Sequence, residues 1–578
     1  MRRGYTLLIL TLCIATTAIA QKLDADYYTY PLRDVAGYYS ANFGEMRPNH
    51  FHSGVDFKTD GVEGKPIIAV ADGYVSRVAY SPTGYGLALY VNHPNGTTSV
   101  YGHLSRFRKD IANFIFAERH RQQRSRIDIE CKPDQFPVKR GEEIAKSGNT
   151  GSSMGPHLHF ELRTTASQKT LNIISQGLVK PKDRISPYIM KLHYFEVDTI
   201  KSVPTHSKPT TYAAYKSDDN TYRIKQTSPI KVGRKGYFVV ETSDRKDDCA
   251  NTYGVYNLKA EIDGKPYFEY RNDGFTFDMS RYCNAVAWYP TQRKSRNEVM
   301  RLARLQGCPT VFYPTMVNNG IITTAEGEQR TMKIIATDDC GNTSTLEFDI
   351  QGKADSLCFK PSLPEGAIIA HYNRDLAHKI DDCTSVVIPR GALYESISID
   401  LRKSDITPKS ESVKILSPAY VIHNANTPLH KSIGVLFTQK VEQNLQPHTT
   451  MAAVDSNGNI SYAGGKYTHN RLTGRTSSFG TYCLVADTTP PTVTPQFEMG
   501  QDCRSKSRIA LRLQDNFAGI ASYNAYIDEK WVAIDLLRGR AWINLDAEDI
   551  KGSKKHTIRL EVSDNCGNKT AWEGHFIR

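Results

Sequence analysis

His52-Ser53-Gly54-Val55-Asp56 sets an imidazole and a carboxylate four residues apart. His157-Leu158-His159 puts two more imidazoles on one face of a strand, because strand side chains alternate with a period of two. A catalytic zinc takes three protein ligands from His, Asp or Glu and leaves a fourth position open. His52, Asp56 and one of His157 and His159 would supply them, and the remaining histidine is then free to act as a base. Either motif alone is common by chance, whereas both, in order, inside one glycine-rich β segment are specific. Two competing chemistries fall away. Gly151-Ser152-Ser153-Met154-Gly155 has the spacing of a nucleophile elbow, yet Pro156 and a strand follow where a helix is required. No HExxH occurs, so the helical zincin arrangement is out. His50 stands close enough to His52 to orient it, while His93 and His120 read as surface histidines.

The elements that must position these residues are short strands. Residues 36–165 hold β-like runs such as Ile67-Ile68-Ala69-Val70 and Leu87-Ala88-Leu89-Tyr90-Val91, parted by Asp-Gly and Pro-Asn-Gly turns, which predicts an antiparallel sheet domain. Around the two motifs stand Asn42-Phe43-Gly44-Glu45-Met46-Arg47, Tyr101-Gly102-His103-Leu104 and Gly148-Asn149-Thr150-Gly151 running on to Phe160-Glu161. With these surroundings the segment resembles the lysostaphin-type (LytM-like) zinc metallopeptidases over residues 36–165. The resemblance implies one Zn2+ per chain held by His52, Asp56 and His159, with His157 as the catalytic base and His103 assisting it. It also implies peptidoglycan peptides, stems or cross-links, as substrate. The physical logic agrees: zinc acidifies its water and polarises the scissile carbonyl, so one neutral imidazole can take the proton and a second can stabilise the oxyanion. No motif position is missing, unlike in the inactive relatives that only activate amidases. The departure is a longer connection between His103 and His157, holding a predicted helix from Lys109 to Arg126 and Cys131-Lys132-Pro133-Asp134, which could wall a groove. The basic run from Arg119 to Arg126 reads as a solvated face.

At 578 residues the chain has the length of about four domains. The expected fold is mainly β: an antiparallel LytM-like peptidase domain followed by three β-sandwich-like domains. Residues 1–20 read as a secretory signal, from Arg2 and Arg3 through an apolar run to Ala18-Ile19-Ala20. The peptidase domain is expected over 21–200, and a linker around Lys201 to Thr211, where Pro204 and Pro209 stand. An immunoglobulin-like sandwich with a helical insertion follows over 212–355, a β-rich domain over 356–488 and a second immunoglobulin-like sandwich over 489–578. The two sandwiches are internal repeats: Asp338-Asp339-Cys340-Gly341-Asn342 recurs as Asp564-Asn565-Cys566-Gly567-Asn568. The first copy carries extra residues centred on Tyr282 to Pro309, with a helix expected from Arg296 to Leu305 and a candidate Cys283–Cys308 staple. The acids of the repeated turns read as turn chemistry, Asp and Asn capping and Gly at positive φ, in preference to a calcium site.

With 39% hydrophobic and 23% charged residues the composition is that of a folded chain, not a disordered or fibrous one. Removing Arg2 and Arg3 lowers the formal net charge from +12 to +10, and the basic residues are scattered, so no nucleic-acid partner is implied. Beyond the N-terminus no apolar run is long enough to span a bilayer, so no transmembrane segment is expected. Eleven cysteines less Cys13 leave ten, an even number that suggests disulfides in an exported chain. The expected location is the periplasm, cell envelope or exterior, with envelope partners for the C-terminal β domains. Two alternatives stay open: a non-enzymatic envelope binding or adhesion protein, and a zinc peptidase acting on a protein. The stretch from Gln21 to Tyr39 is too short for a bulky pro-domain but long enough for a blocking strand.

Overall fold

The computed structural model describes residues 23–552 and 554–578, so the expected signal segment lies outside the described residues. The first unit is built on a nine-stranded antiparallel sheet. Its main strands are β1 (Tyr39–Ala41), β2 (Val55–Lys58), β3 (Gly73–Tyr80), β4 (Leu87–Asn92) and β5 (Thr97–Leu104), followed after the helix α1 (Lys109–Gln122) by β6 (Ile127–Glu130) and β7 (His157–Thr164). They run in the order β1-β2-β7-β5-β4-β3-β6. The two motif strands β2 and β7 are therefore neighbours, and β5, which carries His103, flanks β7 on its other side. Helix α1 stops short of Arg126 because Gln123 turns left-handed (φ 47°) and its N–H closes onto the Arg119 and His120 carbonyls.

The second unit is a thirteen-stranded sheet folded around its own apolar face. It opens with β8 (Tyr188–Ile200), β9 (Val203–His206) and β10 (Thr210–Asp218), then β11 (Thr221–Ile224), β12 (Lys235–Ser243), β13 (Asn257–Ile262), β14 (Lys265–Arg271), β15 (Glu298–Arg301), β16 (Gln329–Thr337) and β17 (Thr343–Gly352). Strand β8 pairs with both β10 and β12, and Lys201 and Ser202, at positive φ, turn it into β9. The expected linker is thus a hairpin: Pro204 is tolerated in β9 because that strand pairs only with β8. The expected helix from Arg296 to Leu305 is instead the buried strand β15, paired with β12. A sheet edge that can bury Val299 and Met300 outweighs helix propensity there. The only α-helical turns of the insertion lie earlier, at Cys283–Val286 and Tyr289–Gln292.

A third unit of five- and six-stranded sheets with a two-stranded ribbon spans residues from Ile368 to Ala486. The last unit pairs two four-stranded sheets. They comprise β18 (Thr492–Pro495), β19 (Arg508–Gln514), β20 (Ile520–Ile527), β21 (Lys530–Val532), β22 (Ile534–Leu537), β23 (Arg540–Asn544), β24 (Lys555–Asp564) and β25 (Lys569–Ile577). Among the described residues no helix is long and apolar enough to cross a membrane.

The first two units share one hydrophobic core, running from Tyr28 to Ile350, and Tyr394 of the third unit packs into it. Phe51, the residue before His52, packs 5.5 Å from Phe275 and 5.4 Å from Phe312 of the second unit. The strand that presents the first motif is thereby held by the neighbouring unit. The last unit folds back on α1. Arg119 pairs with Asp535 at 2.7 Å, His120 with Glu548 at 2.8 Å, and the Ile534 N–H donates to Ser125. The face expected to be solvated is a docking surface, and His120 is a contact residue of it. His93 is likewise not at the surface: it is buried, bridging the Asp72 carbonyl and the Ser99 hydroxyl. The ten cysteines among the described residues are free thiols, so the Cys283–Cys308 staple is not formed. Both of these sulfurs are buried with polar neighbours of their own, Cys283 near the Arg47 carbonyl and Cys308 near the Tyr313 hydroxyl.

Candidate active site

The antiparallel register between β2 and β7 sets His159 directly opposite Asp56, while β5 sets Gly102 on the other side of His159. Leu158 and Phe160 alternate into the core, which turns His157 and His159 to the opposite face. Gly54 lets the loop after His52 come this close: a Cβ there would lie 2.3 Å from the Phe160 carbonyl oxygen. His52 Nε2, Asp56 Oδ1 and His159 Nδ1 consequently meet, with separations of 3.1, 3.2 and 2.8 Å.

The partners of each ring's other nitrogen decide what these atoms can do. His52 Nδ1–H donates to the Asn42 carbonyl at 2.7 Å, which leaves Nε2 a bare lone pair. His159 Nε2–H donates to Glu161 at 2.8 Å, which leaves Nδ1 bare as well. Two imidazole lone pairs and a carboxylate oxygen then face one another and call for a cation between them. Ligands about 2.0–2.1 Å from a tetrahedral zinc stand about 3.3 Å from each other, close to the separations here. The donor set fits a zinc ion. Glu161 is itself gripped by Ser53 Oγ, Tyr85 OH and Arg163 Nε, at 2.7, 2.5 and 2.6 Å. Burial alone would raise its carboxyl, but His159 and Arg163 bring it down to about 2. It therefore stays charged and holds the His159 tautomer.

His157 and His103 carry the same device. His157 Nδ1–H donates to the Gly155 carbonyl at 2.8 Å, and His103 Nδ1–H to the Thr150 carbonyl at 2.8 Å. Each keeps Nε2 as a free acceptor, and the rings lie 4.7 Å apart. His157 Nε2 is 3.7 Å from Asp56 Oδ1. Burial pushes both imidazoles below their ordinary value, and for His103 burial together with His159 and His157 takes it to about 3. His103 sits at φ 59°, with its N–H bound to the Tyr85 carbonyl, a strained backbone held by its surroundings.

All five sequence-predicted residues line one cleft of about 1130 Å³, above the size usual for small-molecule pockets and roomy enough for a length of peptide. Exposed His50 lines it too, without touching His52. Of the expected blocking stretch, the described residues 23–39 are not among those that line the cleft, and the Thr29 and Arg33 N–H groups donate instead to the carbonyls of Val70 and Pro66. Sequence reasoning missed Glu161 as the anchor of His159, although it continues the period-two spacing of His157 and His159 onto the same face. It also missed Phe277, Ser280 and Arg281, which the second unit contributes to the cleft wall, and Arg538 of the last unit, which donates to the Ser153 carbonyl at 2.8 Å. No local signal pointed to these.

Comparison with known proteins agrees with this geometry. Residues 50–117 and 124–172 match Peptidase family M23, and residues 369–487 match a Zu5-like domain. A protein of Haemophilus influenzae named as an uncharacterized metalloprotease is 39% identical over 118 residues, 20% of this chain and 19% of its own length. The DD-carboxypeptidase/endopeptidase Mpg of Neisseria meningitidis is 31% identical over 131 residues, 23% of this chain and 24% of its own. The catalytic domain of lysostaphin from Staphylococcus simulans is 23% identical, over 24% of this chain and 90% of that one, with a TM-score of 0.18. The chain thus spans no more than about a quarter of the length of the Haemophilus and Neisseria relatives. It carries a LytM-like domain of peptidase family M23, the metallopeptidase class that fold and site define.

Proposed function

We propose that the chain is an exported zinc-dependent endopeptidase that hydrolyses peptide bonds in bacterial peptidoglycan stems or cross-links. The observation that carries this reading is the convergence of three donor atoms, two of them imidazole nitrogens whose tautomers are set from behind, on an open cleft. His52 Nε2, Asp56 and His159 Nδ1 are the ligands in this reading. A zinc ion there would supply Lewis acidity, polarising the scissile carbonyl and acidifying water at its open position. His157 is the general base: its free Nε2 takes the proton released as the carbonyl is attacked and returns it to the departing amine. His103 has no proton on Nε2 while neutral, so its tautomer supports accepting or relaying a proton ahead of donating to an oxyanion. Arg47, Lys58 and Arg281 line the cleft, against Asp56 as its one acid, which suits a peptide bearing free carboxylates such as an acidic wall stem. The name of the Neisseria relative supports a peptidase of this kind, and the signal-like N-terminus supports export.

The test is digestion of purified peptidoglycan with zinc quantified and products resolved by mass, beside His157→Ala. Zinc near one per chain and new peptide ends that vanish in the variant are expected. Bound zinc with no cleavage of the wall would replace this reading with a binding protein or a peptidase of another substrate.

A further inference from the structure

The second and last units each bury a trio of aspartates at the same topological place. In the second unit Asp183 precedes β8, Asp244 ends β12 and Asp338 opens the turn from β16 to β17; in the last unit Asp487 precedes β18, Asp515 ends β19 and Asp564 opens the turn from β24 to β25. In each trio one carboxylate oxygen per residue lies within 4.8 Å of the others. The backbone around them matches bond for bond. Asp338 Oδ1 accepts from the Cys340 and Asn342 N–H groups at 2.9 and 2.8 Å, and Asp564 Oδ1 from Cys566 and Asn568 at the same distances. Asn342 donates through Nδ2 to the Asp183 carbonyl at 3.2 Å, and Asn568 to the Asp487 carbonyl at 2.8 Å.

Turn geometry accounts for Asp338 and Asp564. Asp515 Oδ2 accepts from the Phe517 and Gly519 N–H groups in the same way, Asp487 Oδ1 accepts from Thr489 N–H, and Asp183 from Ile185 N–H and from Lys246 Nζ at 3.3 Å, yet oxygens of Asp244, Asp487 and Asp515 stay unsatisfied. Asp244 is 0% exposed and neither of its carboxylate oxygens has a hydrogen-bond partner. Asp487 is also 0% exposed, with Oδ2 unpartnered, and Asp515 Oδ1 is buried without a partner too. A buried carboxylate oxygen with no donor is among the costliest ways to bury a polar atom, and burial pushes the Asp244 carboxyl up to about 9 despite nearby Lys246.

The two copies differ in a compensated manner. Asp339 and Lys246 of the second unit form a buried pair at 2.5 Å, while the corresponding places in the last unit hold Asn565 and Phe517. A charge pair has been exchanged for a neutral pair, and each copy keeps three formal negative charges. Carboxylates that persist through such an exchange, with orphan oxygens facing one another, need a positive occupant.

We infer that each trio is a buried site for a divalent cation with hard, oxygen-seeking chemistry, of which calcium is the class, and that the ion clamps the incoming chain at Asp183 and Asp487 to its unit. A donor set of carboxylates alone disfavours zinc, whose protein sites hold at least one His nitrogen or Cys sulfur beside any carboxylate. Calcium accepts irregular sets of carboxylates and carbonyls, whereas magnesium demands an octahedron and keeps its waters. These sites lie outside the histidine cleft, so their test does not read peptidase activity.

The experiment is equilibrium dialysis of the full chain against calcium after chelation, with elemental analysis counting calcium apart from zinc, and melting followed with calcium, with magnesium and with neither. Two calcium ions per chain and a rise in melting temperature specific to calcium are expected. Asp244→Asn and Asp515→Asn should each retain one ion, and the double variant none. No calcium retained at millimolar concentration would overturn the inference, and one ion per chain would overturn the equivalence of the copies. So would Asn variants that melt higher than the parent to the same extent with and without calcium, since the trios would then be protonated acids.

Discussion

The histidine cleft and the two aspartate trios each gather three side-chain donors within 4.8 Å, yet they are built for opposite purposes. In the cleft both imidazole donors are oriented from behind, by the Asn42 carbonyl and by Glu161, and the front opens into a wide groove. The trios are closed in by comparison: Asp244 and Asp487 have no exposure. Nitrogen donors with an open position suit catalysis, while closed-in oxygen donors suit a structural ion. The lesson is that ligand count says little, and that access and the partner behind each ligand decide what a cluster can do.

The largest effect that would break the comparison concerns the cleft ligands. His52→Ala should abolish zinc retention and peptide hydrolysis while leaving calcium uptake by the trios unchanged; loss of both metals together would show one linked system. Next comes the anchor behind His159. Glu161→Gln removes the charge that holds the ring tautomer, and zinc affinity should fall by about 10- to 100-fold, read by chelator competition; an unchanged affinity would mean that the Glu161 contact is only packing. The third effect is a pH profile. Burial holds the His157 imidazole below its ordinary value, so the neutral base survives below pH 6.5 and the acid limb of hydrolysis should lie beneath that point. An acid limb above pH 7 would remove His157 from that role.

The smallest effect sharpens the other side. Asp244 has a folded carboxyl raised to about 9, so in calcium-free buffer the folded chain binds a proton that the unfolded chain has released. Its contribution is complete below the ordinary carboxylate value and is lost as pH rises towards 9. Denaturation midpoints should therefore fall between pH 5 and pH 8 without calcium, and the fall should shrink with calcium or in Asp244→Asn. A midpoint indifferent to calcium at both pH values would count against an ion at Asp244.

Much of the cleft was legible in the chain because its information is local. Period-two alternation places His157 and His159 on one face whatever surrounds them, and the same period could have flagged Glu161. The repeated Asp-x-Cys-Gly-Asn turns likewise announced one local arrangement used twice, and their backbone hydrogen bonds match. The sequence reading nevertheless preferred turn chemistry at those acids, because Asp244 and Asp515 come from strand ends far along the chain and nothing local announces that they will meet Asp338 and Asp564. The strand from Glu298 to Arg301 was missed for a related reason: its environment is an edge of β12, and a short apolar run carries no mark of the partner that will bury it.

What the sequence determined by itself, then, is the set of chemically capable residues, the faces they occupy and the repetition of one local turn, since spacing and turn residues act over a few positions. Only the tertiary structure decided that Phe51 packs into a core shared with the second unit, that Arg281 and Arg538 reach the cleft, that His93 is buried, that the cysteines stay apart, and that six aspartates close into two trios. Those outcomes depend on contacts between residues tens to hundreds of positions apart, where burial and shape complementarity govern and local propensity is silent.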